Sequence, residues 1–193
     1  MQAFHNEGEI EVGVDEVARG CLAGPVYTAA VIWPNEIDPS DTDTILRDYI
    51  KEYALDYSVA SYSNDVIDER NILNATLDCM HKALDGLKID MDHILVDGNR
   101  FKNYYRSGFN IPIAYTCITK GDDKFISIAA ASILAKTEHD LYIEKLVEEN
   151  SELEKYDWLS NMCYGTQKHL DAIKKYGITK YHRKTFGVCR EFI

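Results

Sequence analysis

The sequence predicts an α/β fold with a mixed five-stranded sheet flanked by helices. Its first two strand-like segments lie on either side of a short turn bearing Gly and Pro, while later ones alternate with helical stretches. There is no internal repeat, low-complexity tract or linker, so residues 1–193 read as one domain with a helical, basic C-terminal portion.

Alternation in IEVGVDEV (Ile10–Val17) marks a first strand, and VYTAAVIW (Val26–Trp33), rich in β-branched and aromatic residues, marks a second. The intervening ARGCLAGP holds two glycines and a proline, which makes the two strands a hairpin-like pair. DYSVASYS (Asp56–Ser63) is a third strand. Asn64 or Asp65 can cap a long helix through Leu87, with Ile67, Ile72, Leu73, Leu77, Met80 and Leu84 near helical spacing and Gly86 close to its end. HILVD (His93–Asp97) and IAYTCIT (Ile113–Thr119) are short strands. A long helix follows from Lys124 to Asn150, and the small Ala129, Ala130, Ala131 and Ser132 let it pack closely on a sheet. Thr166 can cap a last helix, TQKHLDAIKKY, which Gly177 ends.

An apolar share of 46% and a charged share of 27% suit a globular enzyme. No apolar run approaches the roughly 20 residues that span a bilayer, so no membrane association is expected. The acidic start, MQAFHNEGEIEV, lacks the basic end and apolar stretch of a signal peptide. Cys21, Cys79, Cys117, Cys163 and Cys189 are odd in number, far apart and without a CxxC pair. Neither a zinc site nor a disulfide framework is implied, and a reduced cytoplasmic location is expected.

The net charge of −11 argues against nucleic acid until its distribution is read. Between Tyr164 and Arg190 stand Lys168, Lys174, Lys175, Lys180, Arg183, Lys184 and Arg190 against Asp171 alone. That local +6 leaves −17 on the rest. A basic surface beside an acidic pocket is what a metal-dependent nuclease needs, although a solvated basic face would read the same way.

Asp15 and Glu16 are adjacent at the end of the first strand, where successive side chains point to opposite faces. Both reach one ion only if the chain bends, and Ala18-Arg19-Gly20 supplies the bend. Asp97 closes its strand before Gly98, at the carboxyl end where α/β sheets place ligands. Asp122 follows the last strand and precedes the long helix. Each has a plainer explanation: a helix cap for Asp122 or Asp123, a turn residue for Asp97, exposed charge for Asp15 and Glu16. Three separate strand ends each delivering a carboxylate point further, because such groups repel unless a divalent cation neutralises them. Hard oxygens without His or Cys favour Mg²⁺ or Mn²⁺. Such clusters hold two metals in phosphodiester hydrolysis. Asp140 is a rival fourth ligand, but it lies 18 residues beyond Asp122, roughly 27 Å along a helix. Asp122 is preferred.

VGVDEVARGCLAGPVYTAAVI closely resembles the opening motif of the ribonuclease HII family. NILNATLDCMHKAL, ILVDGNR, KGDDKFISIAAASILAKTEHD, CYGTQKH and YHRKTF resemble its later blocks, in order, so the likeness covers nearly the whole chain. The resemblance implies a ribonuclease H-like fold, Mg²⁺ or Mn²⁺ as cofactor, and four acidic catalytic and metal-binding residues that fall on Asp15, Glu16, Asp97 and Asp122. It implies an endoribonuclease that hydrolyses the RNA strand of RNA–DNA hybrids and cuts 5′ of ribonucleotides embedded in duplex DNA. The products would carry 3′-hydroxyl and 5′-phosphate ends, and the enzyme is expected as a monomer. The family's Gly-Arg-Gly turn, which reads the 2′-hydroxyl through its backbone, falls on Ala18, Arg19 and Gly20. Its sugar-stacking tyrosine falls on Tyr164. The 2′-hydroxyl is what separates RNA from DNA at one nucleotide. For His169, His182 and Arg183, capping, core hydrogen bonds and phosphate contact all stay open.

The chain departs from the family pattern in three places. Ala18 stands in place of a glycine, keeping the N–H but resisting positive φ, and Cys163 replaces the glycine before the tyrosine. PNEIDPSDTDTI is shorter than the family's corresponding segment and lacks its Lys, which implies fewer phosphate contacts and a shallower salt dependence. Two rivals follow: a relative that binds hybrids without cutting, and a nuclease of the HIII type. The four retained acidic residues weigh against the first. The short segment before Ile10 leaves no room for the second's extra N-terminal domain.

Overall fold

A computed structural model describes residues 1–34 and 46–193. The expectation about PNEIDPSDTDTI therefore falls, beyond its first residue, outside the described residues.

The strands are β1 (Glu11–Val17), β2 (Val26–Ile32), β3 (Asp56–Tyr62), β4 (His93–Asp97) and β5 (Ala114–Ile118). They form one five-stranded sheet in the order β3-β2-β1-β4-β5. β1 and β2 pair antiparallel, as the short Gly- and Pro-bearing connection predicts, and β3 pairs antiparallel with β2. β4 lies parallel to β1 and β5 parallel to β4. The mixed sheet is the one expected.

The pleat sorts the side chains of β1. Val12 and Val14 point into a cluster with Leu77, Met80 and Leu84 of α3 (Ile72–Asp85). On the other face, Ala29 and Val31 of β2 meet Ala130, Ala131, Leu134 and Ala135 of α4 (Ile126–Glu149). Small residues on α4 bring it close to the sheet, as predicted. At Gly13 the approach is extreme, because a Cβ there would lie 2.1 Å from the Ser127 carbonyl carbon. Only glycine fits.

The helices differ from expectation in particular places. The single helix read from Asn64 to Leu87 is two, α2 (Asn64–Arg70) and α3, broken at Asn71 with φ 63°. Ser63, not Asn64 or Asp65, caps α2, and the Asn71 side chain caps α3 by accepting from Asn74 N–H at 3.1 Å. An Asn tolerates the left-handed region through local hydrogen bonding, so no Gly or Pro announces the break. α1 (Leu46–Tyr53) precedes β3. α4 begins at Ile126 rather than Lys124, and its start carries no side-chain cap. Neither Asp122 nor Asp123 is occupied as a helix cap. Beyond α4, a 3₁₀ segment (Ser151–Tyr156) and the short α5 (Trp158–Asn161) precede α6 (Gln167–Tyr176). Thr166 and Gly177 bound α6 as read.

Candidate active site

Val14 faces α3, so the strand pleat sends Asp15 toward α4 and Glu16 back toward α3. Asp15 is only 5% exposed; its Oδ1 accepts the Glu16 N–H at 2.7 Å, and the nearby Ser132 side chain of α4 favours its charged form. Glu16 lines a cavity of about 220 Å³ with Arg19, Asp97, Gly98, Asn99 and Arg100, floored by Leu77 and Met80 of α3. Strand pairing continues to Val17, opposite Tyr27. The chain turns only at Ala18, whose φ is 69°. The bend read from the sequence is present, one residue past the paired end.

Electrostatics link the carboxylates. Burial raises Asp15 from 3.8 to about 7, partly offset by Ser132, and the neighbouring charges of Glu16 and Asp97 push it further. Burial also raises Glu16, against the Arg19 guanidinium that pulls it down, and Asp97 again adds repulsion. Asp97 is thus felt by both. Its Oδ1 accepts the Gly121 N–H at 2.7 Å, which ties the end of β4 to the connection between β5 and α4. Asp122 is the next residue but does not line the cavity. Asp140 is engaged elsewhere on α4, by Lys136 and by His139 at 3.0 Å.

The donors are hard oxygens with no imidazole or thiolate among them, which fits Mg²⁺ or Mn²⁺. A carboxylate raised to about 7 by burial, with like charges adding to the shift, is the kind of group a divalent cation relieves. As the side chains stand, no three His, Cys, Asp or Glu among the described residues are grouped closely enough to hold an ion. Glu16 Oε1 is taken by Arg19 at 2.8 Å, and Asp97 Oδ1 by Gly121.

Tyr164 lies across the turn. It is 42% exposed, and a Cβ on Gly20 would sit 3.6 Å from its ring. Burial raises its phenol above the ordinary value, while the neighbouring Cys21 thiol donates to the Met162 carbonyl at 3.3 Å. Cys163, just before it, has φ 67° and is buried. Both non-glycine departures therefore occupy left-handed backbone, which costs about 1–2 kcal/mol per residue.

A buried histidine pair supports Tyr164 from behind. His182 Nδ1 accepts the Thr179 N–H at 2.9 Å, so its own proton sits on Nε2 and donates to His169 Nε2 at 3.2 Å. His169 Nδ1 then donates to the Tyr164 carbonyl at 2.9 Å. Trp158 Nε1 also donates to His169 Nε2, at 3.0 Å. Burial lowers both histidines, His182 to about 3, so both rings are neutral. Arg183, counted with the basic C-terminal face, is instead fully buried and bonds backbone carbonyls. Core hydrogen bonding is the role it takes.

Sequence reasoning missed Ser132, Asn99 and Arg100. The last two stand beside Asp97 in DGNR, and Ser132 was read only for its small size.

The ribonuclease HII family profile matches residues 39–189, beyond Asp15 and Glu16. Over nearly the whole chain the protein is similar to the ribonuclease HII of Christiangramia forsetii, at 49% identity over 196 residues, covering 96% of this chain and 94% of that one. Its fold is similar to that of the ribonuclease H2 from Pyrococcus horikoshii OT3, with TM-score 0.72, 22% identity, and 94% and 96% of the two chains covered. It is similar also to Bst-RNase HIII in complex with Mn²⁺, with TM-score 0.57, 18% identity, and 90% and 65% covered.

Proposed function

The chain belongs to the ribonuclease HII family and is a nuclease, and from that premise we propose that it hydrolyses the RNA strand of RNA–DNA hybrids and cuts 5′ of ribonucleotides embedded in duplex DNA. The products carry 3′-hydroxyl and 5′-phosphate ends, and the enzyme acts as a monomer. The observation that carries the reading is Asp15, buried and raised to about 7 beside Glu16 and Asp97 at the ends of two neighbouring strands.

In this reading Asp15, Glu16, Asp97 and Asp122 hold two Mg²⁺ or Mn²⁺ ions. The Mn²⁺ complex of the related Bst-RNase HIII supports that choice. Bound there, divalent cations supply an activated water and charge stabilisation at the scissile phosphate. The remaining work falls to this chain's own residues. Glu16 would be among the residues that hold a cation, and the half-exposed Arg19 guanidinium that pairs with it at 2.8 Å is placed to meet a phosphate oxygen. Asp15, buried on the α4 side beside Ser132, has one carboxylate oxygen fixed by the Glu16 N–H at 2.7 Å. Asp97, held by Gly121, stays aligned with the cavity mouth. The backbone of Ala18, Arg19 and Gly20 meets the 2′-hydroxyl, and the Tyr164 ring packs on the sugar after the junction. A sugar lacking that hydroxyl presents a flatter face to the ring, so the pair reports an RNA–DNA junction.

The test is cleavage of two labelled substrates side by side, a DNA duplex with one ribonucleotide and a long RNA–DNA hybrid, with and without Mg²⁺. Mg²⁺-dependent cutting 5′ of the single ribonucleotide is the expected result. No cleavage of either duplex with Mg²⁺ or Mn²⁺ anywhere between about pH 7 and 9 overturns the reading.

A further inference from the structure

We infer that Arg183 is a positioning residue for ribonucleotide recognition: its buried guanidinium holds the turn Ala18–Gly20 in the shape that presents backbone groups to the 2′-hydroxyl. The inference rests on the proposed role of that turn.

The side chain is completely buried, yet among the described residues no carboxylate forms an ion pair with it. Its donors go to backbone carbonyls instead. Nε donates to Gly24 at 3.0 Å, one Nη to Arg19 at 3.0 Å, and the other to Ala18 at 2.8 Å and Pro25 at 3.1 Å. The Arg183 N–H adds a bond to the Leu22 carbonyl at 2.8 Å. One planar cation thus gathers both ends of the segment from Ala18 to Pro25. A lysine cannot reproduce this, because it offers a point charge and lacks the fixed fork. Burying a cation without an anion is costly, so the arrangement persists only where the carbonyls answer it fully.

The turn needs holding. Ala18 sits at φ 69°, a region that L-residues other than glycine and Asn avoid. Without the guanidinium the alanine is free to relax toward negative φ. Such a flip would re-aim the peptide groups of the reading turn and leave Asp15 and Asp97 where they are. Arg183 therefore acts on recognition of the ribonucleotide rather than on metal binding.

The test compares binding of two duplexes of one sequence, with a single ribonucleotide or all DNA, in Ca²⁺ to suppress cleavage. Wild type and Arg183→Lys are measured by fluorescence anisotropy, with Mn²⁺ affinity as a control. The expected result is a wild-type preference for the ribonucleotide duplex that falls about tenfold in the variant, as losing charge-assisted bonds to the turn would require. Mn²⁺ affinity and all-DNA binding should be unchanged. An equal preference in wild type and a folded variant overturns the inference. A wild type without any preference overturns the reading of the turn itself. Should Arg183→Lys not fold, ¹⁵N-arginine spectra of the wild type decide. Shifts of the Arg183 Nη signals with the ribonucleotide duplex but not the all-DNA duplex support the inference; identical responses overturn it.

Discussion

Asp97 Oδ1 accepts the backbone N–H of Gly121 at 2.7 Å, so the carboxylate that closes β4 also fixes the chain just before Asp122. Two acidic residues distant in sequence are placed relative to each other through one hydrogen bond. Asp97→Asn keeps a carbonyl oxygen for that bond but loses the charge. Turnover should fall by roughly a thousandfold, since several kcal/mol of charge stabilisation disappear, while the melting temperature stays within a few degrees. Steady-state cleavage and thermal unfolding check both halves. Undiminished turnover would remove Asp97 from the chemistry.

Gly13→Ala should be among the most damaging single substitutions. The new methyl would sit 2.1 Å from backbone of α4, so β1 and α4 must separate, taking Asp15 from Ser132. A cost of about 3 kcal/mol or more is expected, at the upper end of overpacking effects because backbone cannot step aside. Urea unfolding measures it. A loss under about 1 kcal/mol would show that the contact yields easily.

Much of this arrangement was legible in the chain. The β-branched and aromatic residues of β2 and the turn before it located the antiparallel pair, and Thr166 and Gly177 bounded α6. Asp15 and Glu16 lie near the end of β1 and Asp97 ends β4, the positions that the strand patterns predict. Part of what escaped shares a physical cause: left-handed backbone carried by residues other than glycine. Asn71 breaks a helix that periodicity reads as continuous. Asp157, Met162 and Cys163, at φ 60°, 44° and 67°, shape the segment beneath Tyr164 without any Gly to mark it. Arg183 escaped for another reason, because a charge count cannot tell a buried cation from a surface one.

Tyr164→Ala should lower kcat/KM on a single embedded ribonucleotide by about tenfold or more, the scale of one lost stacking contact of 1–3 kcal/mol. Mn²⁺ affinity should stay constant, because the ring rests on Gly20 and not on the carboxylates. Parallel losses in cleavage and metal affinity would argue for a structural role alone.

The neutral histidine pair makes the C-terminal portion sensitive to acid. Burial holds His182 at about 3, against 6.5 for the free side chain, and lowers His169 too. Below pH 6.5 the unfolded chain takes up protons that the native state refuses. The pair's contribution is thus fully present above about 6.5 and lost as pH falls toward 3, by an amount on the order of a few kcal/mol. Urea midpoints measured from pH 7 down to 4 should fall less steeply in His182→Gln than in wild type. Equal slopes would mean that His182 is protonated in the native state.

The most direct test of the convergence of carboxylates on a divalent cation is calorimetric titration of the metal-free protein with Mn²⁺. Wild type is compared with Asp15→Asn, Glu16→Gln, Asp97→Asn and Asp122→Asn. Each substitution should weaken Mn²⁺ binding by about tenfold or more, as loss of a charged oxygen ligand requires. Wild-type affinity retained in all four variants would contradict the account.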